Sequence, residues 1–134
     1  MKVVLVDDNP LFNFISVKTL ESTGFSNNIK EFISCSKALK FLKSSADNPE
    51  LLPDIIFLDV KMQVMDGFGF LDEFMKLPDA VKSRVKISML TSSLLTSDKE
   101  RAMQYSNVIE FLNKPLTSEK LLNIRHKIFG ASAN

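Results

Sequence analysis

The chain has one cysteine, Cys35, in 134 residues. A lone thiol excludes a disulfide framework within the chain. An excess of charge of either sign is also missing. Seventeen Lys and Arg stand against sixteen Asp and Glu, a formal net charge of +1. That balance leaves no electrostatic footprint for nucleic acid or for an anionic membrane surface. There is no long hydrophobic run. The opening MKVVLV is broken by Asp7, too soon for a signal peptide or a membrane span, so a cytoplasmic location is expected. No internal repeat or low-complexity segment is visible. No G-x-G-x-x-G follows the first apolar run, which argues against a dinucleotide site. Residues 131–134 form a small, polar tail that is expected to fray.

What is present fits one soluble domain over 1–130. The residues are 45% hydrophobic and 25% charged, which excludes bulk disorder. The length suffices for a core without disulfide or metal staples. Five short apolar runs stand out: Val3–Val6, Ile29–Ile33, Ile55–Leu58, Val85–Leu90 and Val108–Leu112. The first and third are almost purely aliphatic, as strands buried on both faces are. The second alternates, as an outer strand does. Longer segments of helical spacing separate the runs. Ala38, Phe41 and Leu42 fit one helix face, and Leu121, Ile124 and Ile128 another. Pro10–Thr23 shows no clean apolar stripe, but its length and the Gly24 that ends it favour a helix. Asp66-Gly67 precedes a helical segment Phe68–Leu77 that Pro78 ends, and its Phe68, Phe70 and Phe74 point to a broad buried face, a partner interface being the alternative for some of them. Ser97 with Glu100 has capping-box spacing ahead of Arg101–Ser106. Thr117 is placed to cap the last helix. Asp79–Arg84 reads as a polar, extended surface connection. Five strands alternating with five helices predict an α/β domain with a parallel sheet and helices on both faces.

Ligands of such sheets bind at the carboxyl ends of the strands. There the first run ends in Asp7-Asp8, the third in Asp59, the fourth in Thr91-Ser92 and the fifth in Asn113-Lys114-Pro115. Singly, each has an ordinary explanation as a cap, a turn or a solvated charge. Together they set three carboxylates, a hydroxyl and an ammonium along one sheet edge. Converging carboxylates repel unless a cation lies between them, and hard oxygen ligands suit Mg²⁺ better than zinc.

These residues resemble the response-regulator receiver domains of two-component signalling. The motifs are LVDD (5–8), PDIIFLDVKMQVMDG (53–67), ISMLTSS (87–93) and FLNKPLT (111–117), and the resemblance spans nearly the whole chain. It implies a flavodoxin-like, doubly wound sheet of strand order 2-1-3-4-5. It implies Asp59 as phosphoacceptor, forming an aspartyl phosphate, with Thr91 and Lys114 contacting phosphoryl oxygens. It implies Mg²⁺ held by Asp8, Asp59 and the Lys61 backbone carbonyl, with Asp7 acting mostly through water. Pro115 is expected after a cis peptide bond. Thr91 and Phe111 stand at the family's switch positions, a plain core role being the alternative for Phe111. Lys61 and Ser93 stand where the family tunes the lifetime of the phosphoryl group. The chain departs from the family at Gln63, often Pro, and at Ser92, usually Ala or Gly.

The implied function is that of a single-domain response regulator and phosphoprotein. It takes its phosphoryl group from a histidine kinase or a histidine phosphotransfer protein and signals to a downstream target by protein contact, with no nucleic acid or membrane partner. It is not expected to be a conventional enzyme. The alternative is a receiver cut from a longer regulator with a DNA-binding or enzymatic output domain. An aspartyl-phosphate phosphatase usually has a second Asp two residues after its nucleophile; here that position is Lys61. His126, between Arg125 and Lys127, reads as a solvated helix position rather than a phosphorelay histidine. Cys35 reads as a packed or partly exposed thiol.

Overall fold

The computed structural model describes residues 1–93 and 95–130; the tail expected to fray, 131–134, lies outside the described residues. Its strands are β1 (Lys2–Val6), β2 (Asn28–Phe32), β3 (Ile55–Asp59), β4 (Lys86–Thr91) and β5 (Val108–Asn113). Its helices are α1 (Pro10–Ser22), α2 (Cys35–Ser44), α3 (Gly67–Phe74), α4 (Asp79–Lys82), α5 (Thr96–Ala102) and α6 (Ser118–Phe129). The strands form one parallel sheet of order β2-β1-β3-β4-β5. This is the doubly wound, flavodoxin-like arrangement that the motifs imply.

The aliphatic runs of β1 and β3 serve two cores at once, because successive side chains leave a strand on opposite faces. Val4, Val6, Ile56 and Leu58 pack with α2, α3, α4 and α5. Val3, Leu5, Ile55 and Phe57 pack with α1 and α6. The alternating run forms β2 at the sheet edge, with no fully buried residue. Phe68, Phe70 and Phe74 are all buried in the broad face expected of α3. Cys35 is buried, and burial together with the charges of Asp66, Asp59 and Asp8 pushes its thiol up to about 12, so it is held as an unreactive thiol.

Helix α1 shows why no stripe was visible. Its inward face carries Asn13, Ser16 and Leu20, whereas Leu11, Phe14 and Ile15 lie exposed. Two local expectations are corrected. Asp79–Arg84 is not simply extended: it contains the one-turn helix α4, because Val81 turns inward and is fully buried. Ser97 and Glu100 do not form a capping box. Helix α5 starts at Thr96, its N-cap is Leu95 without a side-chain cap, and it ends at Ala102. Ser97 therefore lies inside the first turn, one residue past the start, where it cannot act as the N-cap. By contrast the Asp66 side chain accepts from the Gly69 N–H, and the Thr117 hydroxyl accepts from the Lys120 N–H, at the starts of α3 and α6.

Candidate functional site

The carboxyl ends of β1, β3, β4 and β5 converge. Ligand atoms of Asp7, Asp8 and Asp59 all lie within 4.8 Å of one another. Asp7 and Asp59 are buried and Asp8 is exposed. Lys114 reaches in from the end of β5. Its Nζ lies 2.6 Å from Asp7 Oδ2 and 3.3 Å from Asp59 Oδ1. One ammonium therefore bridges two of the three carboxylates.

Local structure holds each of these groups. Asn9 caps α1, its side chain accepting from the N–H groups of Leu11 and Phe12. Its own N–H donates to Asp7 Oδ1 at 2.8 Å. The buried Asn13 amide donates to the Asp7 carbonyl at 2.9 Å. The Gln63 N–H donates to Asp8 Oδ2 at 3.2 Å, tying the loop after β3 to the end of β1. Gly67 is needed for close approach: a Cβ there would meet the Asp59 carbonyl oxygen at 2.6 Å. The Lys114 N–H donates to the Thr91 carbonyl at 2.7 Å, joining the ends of β4 and β5. The Lys114–Pro115 peptide is cis, and Lys120 Nζ binds the flanking carbonyls of Asn113 and Pro115 at 2.6 and 2.9 Å.

Burial and the charge of Asp7 push the Asp59 carboxyl up to about 6. The Lys114 charge and hydrogen bond, with a hydrogen bond from the Lys61 backbone, pull the other way. Burial and like charge outweigh the single cation, so the cluster has capacity for more positive charge. The all-oxygen donor set fits a hard divalent cation that keeps part of its water shell. A carboxylate nucleophile beside a cation site and an ammonium is the equipment of phosphoryl transfer, which depends on positioning and charge neutralisation.

The other sequence-picked residues fall as follows. Lys61 and Ser93 are exposed beside the cluster. Thr91 is buried. Its hydroxyl donates to the Ser93 carbonyl at 3.0 Å and accepts from the Ser93 N–H at 3.1 Å, so it is engaged on its own loop. Phe111 is buried, 3% exposed, and one edge lines a cavity of about 190 Å³ with Leu95, Thr96 and Lys99. His126 is half-buried on α6, away from the cluster in sequence and element. Sequence reasoning passed over Asn9, Phe12, Asn13 and Lys120. Asn9 before Pro10 is a legible cap signature; Asn13 and Lys120 bond carbonyls five to seven residues away across a strand–helix junction, a spacing with no cap or turn signature, and Phe12 meets Lys114 only through the fold.

Comparison with known proteins agrees with this geometry. The family model described as "Response regulator receiver domain" matches residues 3–125. A probable methanogenesis regulatory protein of Methanothrix harundinacea is 29% identical over 89% of this chain and 75% of its own length. The chain spans 14% and 46% of two longer curated relatives. A response regulator receiver protein of Dyadobacter fermentans, solved as a crystal structure, is 32% identical with a TM-score of 0.85, over 98% of this chain and 99% of that one. The receiver domain of a sensor histidine kinase of Pseudomonas aeruginosa is 25% identical with a TM-score of 0.73, over 97% and 98% of the two chains, and it has a magnesium ion coordinated in its active-site cleft.

Proposed function

This chain belongs to the family of response regulator receiver domains, and on that premise we propose that it accepts a phosphoryl group on Asp59 from a phosphohistidine donor and relays the signal by protein contact. The observation that carries this reading is the convergence of Asp7, Asp8 and Asp59 within 4.8 Å under the Lys114 ammonium. An Asp59 Oδ attacks phosphorus; the P–N bond to the donor imidazole breaks, and its electron pair leaves with the imidazole nitrogen. Bound Mg²⁺ supplies charge neutralisation for the phosphoryl oxygens, and the magnesium in the Pseudomonas relative's cleft supports that choice of ion. Asp8, Asp59 and the Lys61 carbonyl would hold the ion, with Asp7 acting through water. Lys114 turns from the carboxylates to a phosphoryl oxygen. The Thr91 hydroxyl leaves the Ser93 backbone for another, and Phe111 carries the change to the neighbouring surface. Lys61 and Ser93 flank the path of the hydrolytic water and set the lifetime of the product.

In this reading the chain catalyses only its own phosphorylation and dephosphorylation. Its partners are a histidine kinase or histidine phosphotransfer protein and a downstream target protein. The near-neutral charge favours output through protein contact rather than DNA. No helix among the described residues is long and apolar enough to cross a membrane, which is compatible with work in the cytoplasm. The relatives that extend well beyond the matched segment support a second reading, the receiver part of a longer regulator; the length of the natural open reading frame separates the two.

The test is labelling by acetyl phosphate in Mg²⁺. The wild-type chain is expected to gain one acid-labile phosphoryl group and the Asp59→Asn variant none. Equal labelling of the two overturns the assignment.

A further inference from the structure

The Lys114 ammonium has a third neighbour besides the two carboxylates. Its Nζ stands 4.1 Å from the centroid of the Phe12 ring, over the ring face. Phe12 comes from the first turn of α1 and Lys114 from the loop after β5, so the contact closes across the sheet edge. Phe12 is half-buried, and the Lys114 side chain is 17% exposed. A cation this close to a ring face is attracted by the ring's quadrupole, more strongly where water is partly excluded. The ring differs chemically from the other two partners. It has no lone pair to offer a metal ion, and it keeps its electron density when Asp59 becomes phosphorylated. Asp7 and Asp59 change in both respects during the reaction proposed above.

We propose that Phe12 is a positioning residue for Lys114: its ring face keeps the ammonium at the site while the anionic partner changes from the carboxylates to a phosphoryl oxygen. This inference deepens the phosphoacceptor reading and rests on it. Phe12 also packs on the core beneath α1. Packing alone asks for apolar volume, which leucine supplies; the attraction asks for an aromatic face.

The experiment uses the full chain with Phe12→Leu, Phe12→Tyr, and singly, doubly and triply fluorinated phenylalanine placed at position 12. The first readout is the Lys114 ε-methylene NMR resonance in the metal-free protein. A ring current shifts it upfield in wild type and in Phe12→Tyr, and the shift is lost in Phe12→Leu. The second is the rate of phosphorylation by acetyl phosphate in Mg²⁺. It falls about two- to thirtyfold in Phe12→Leu, stays near wild type in Phe12→Tyr, and declines stepwise with each fluorine. An unshifted Lys114 resonance in wild type, a wild-type rate in Phe12→Leu, or a flat fluorine series overturns the role of Phe12 while the phosphoacceptor reading stands. A wild-type chain that takes no phosphoryl group overturns that reading and this one with it.

Discussion

The Lys114 ammonium lies closer to Asp7, at 2.6 Å, than to Asp59, at 3.3 Å. The main cation of the site is thus held most tightly by a neighbouring carboxylate rather than by the proposed nucleophile. Burial first and the repulsion of Asp7 second raise the Asp59 pKa to about 6, and Lys114, nearer to Asp7, offsets only part of this.

Removing that cation leaves Asp7 and Asp59 buried and facing each other. Lys114→Met is expected to cost on the order of 3 kcal/mol in the metal-free protein at neutral pH, as breaking a buried ion pair does. Mg²⁺ is expected to restore part of the loss by binding the folded state and to bind more tightly than in wild type, because the competing ammonium is gone. Urea unfolding with and without Mg²⁺ measures both effects; a variant as stable as wild type without metal contradicts the geometry.

The pH dependence follows from Asp59. Burial and the charge of Asp7 hold its folded pKa at about 6, above the ordinary carboxylate value of 3.8, so the folded state binds this proton more tightly than the unfolded chain. The stability linked to the proton is fully present below about 3.8 and is lost as pH rises through about 6. An uncharged Asn escapes that loss. Metal-free Asp59→Asn is expected to melt roughly 3 °C or more above wild type at pH 7.5, with the difference closing as pH falls toward 4. A gap that does not vary with pH contradicts the assigned cause.

Gly67→Ala tests the scaffold behind the nucleophile. The added Cβ meets the Asp59 carbonyl oxygen at 2.6 Å, Met89 Cε at 2.8 Å and Val60 Cα at 3.1 Å. Two of these atoms are backbone and cannot swing aside. A loss of about 1–3 kcal/mol is expected, with amide shifts centred on Asp59 and Val60. A variant within about 0.5 kcal/mol of wild type shows that the approach is looser than the distances state.

The Thr91 hydroxyl is paired twice with the Ser93 backbone. If it turns to a phosphoryl oxygen, the Ser93 N–H loses its acceptor. On phosphorylation the Ser93 amide is expected to shift and to exchange faster in wild type, and to show no such change in Thr91→Ala, where the bond is already absent. Phe111→Ala, at a buried ring that lines an existing cavity, is expected to cost about 3 kcal/mol in thermal or denaturant unfolding.

Much of the site was legible because its residues end the strands. Asp7, Asp8, Asp59, Thr91 and Lys114 each stand at or just past a short apolar run, and a parallel sheet brings such ends to one edge. Signals of this kind are local. The caps at Asp66 and Thr117 were legible for the same reason, since donor and acceptor lie within one turn. The capping spacing at Ser97 and Glu100 misled because α5 begins one residue earlier, at Thr96 after Leu95, which leaves Ser97 within the helix. The helical turn at Asp79–Lys82 was missed because it depends on the burial of Val81.

The sequence by itself determined the parallel α/β sheet, its doubly buried β1 and β3, and the edge at which three carboxylates and an ammonium collect. Periodicity and strand-end position are properties of neighbours in the chain, and they survive without the fold. Tertiary structure alone decided how the charges are shared. It set Lys114 nearer Asp7 than Asp59, slid the Phe12 ring beneath the ammonium, and anchored the Asp7 carbonyl on the buried Asn13 amide. Asp7 and Lys114 are separated by 107 residues, and only the parallel sheet, which sets the carboxyl ends of β1 and β5 on one side, brings such groups within hydrogen-bonding reach.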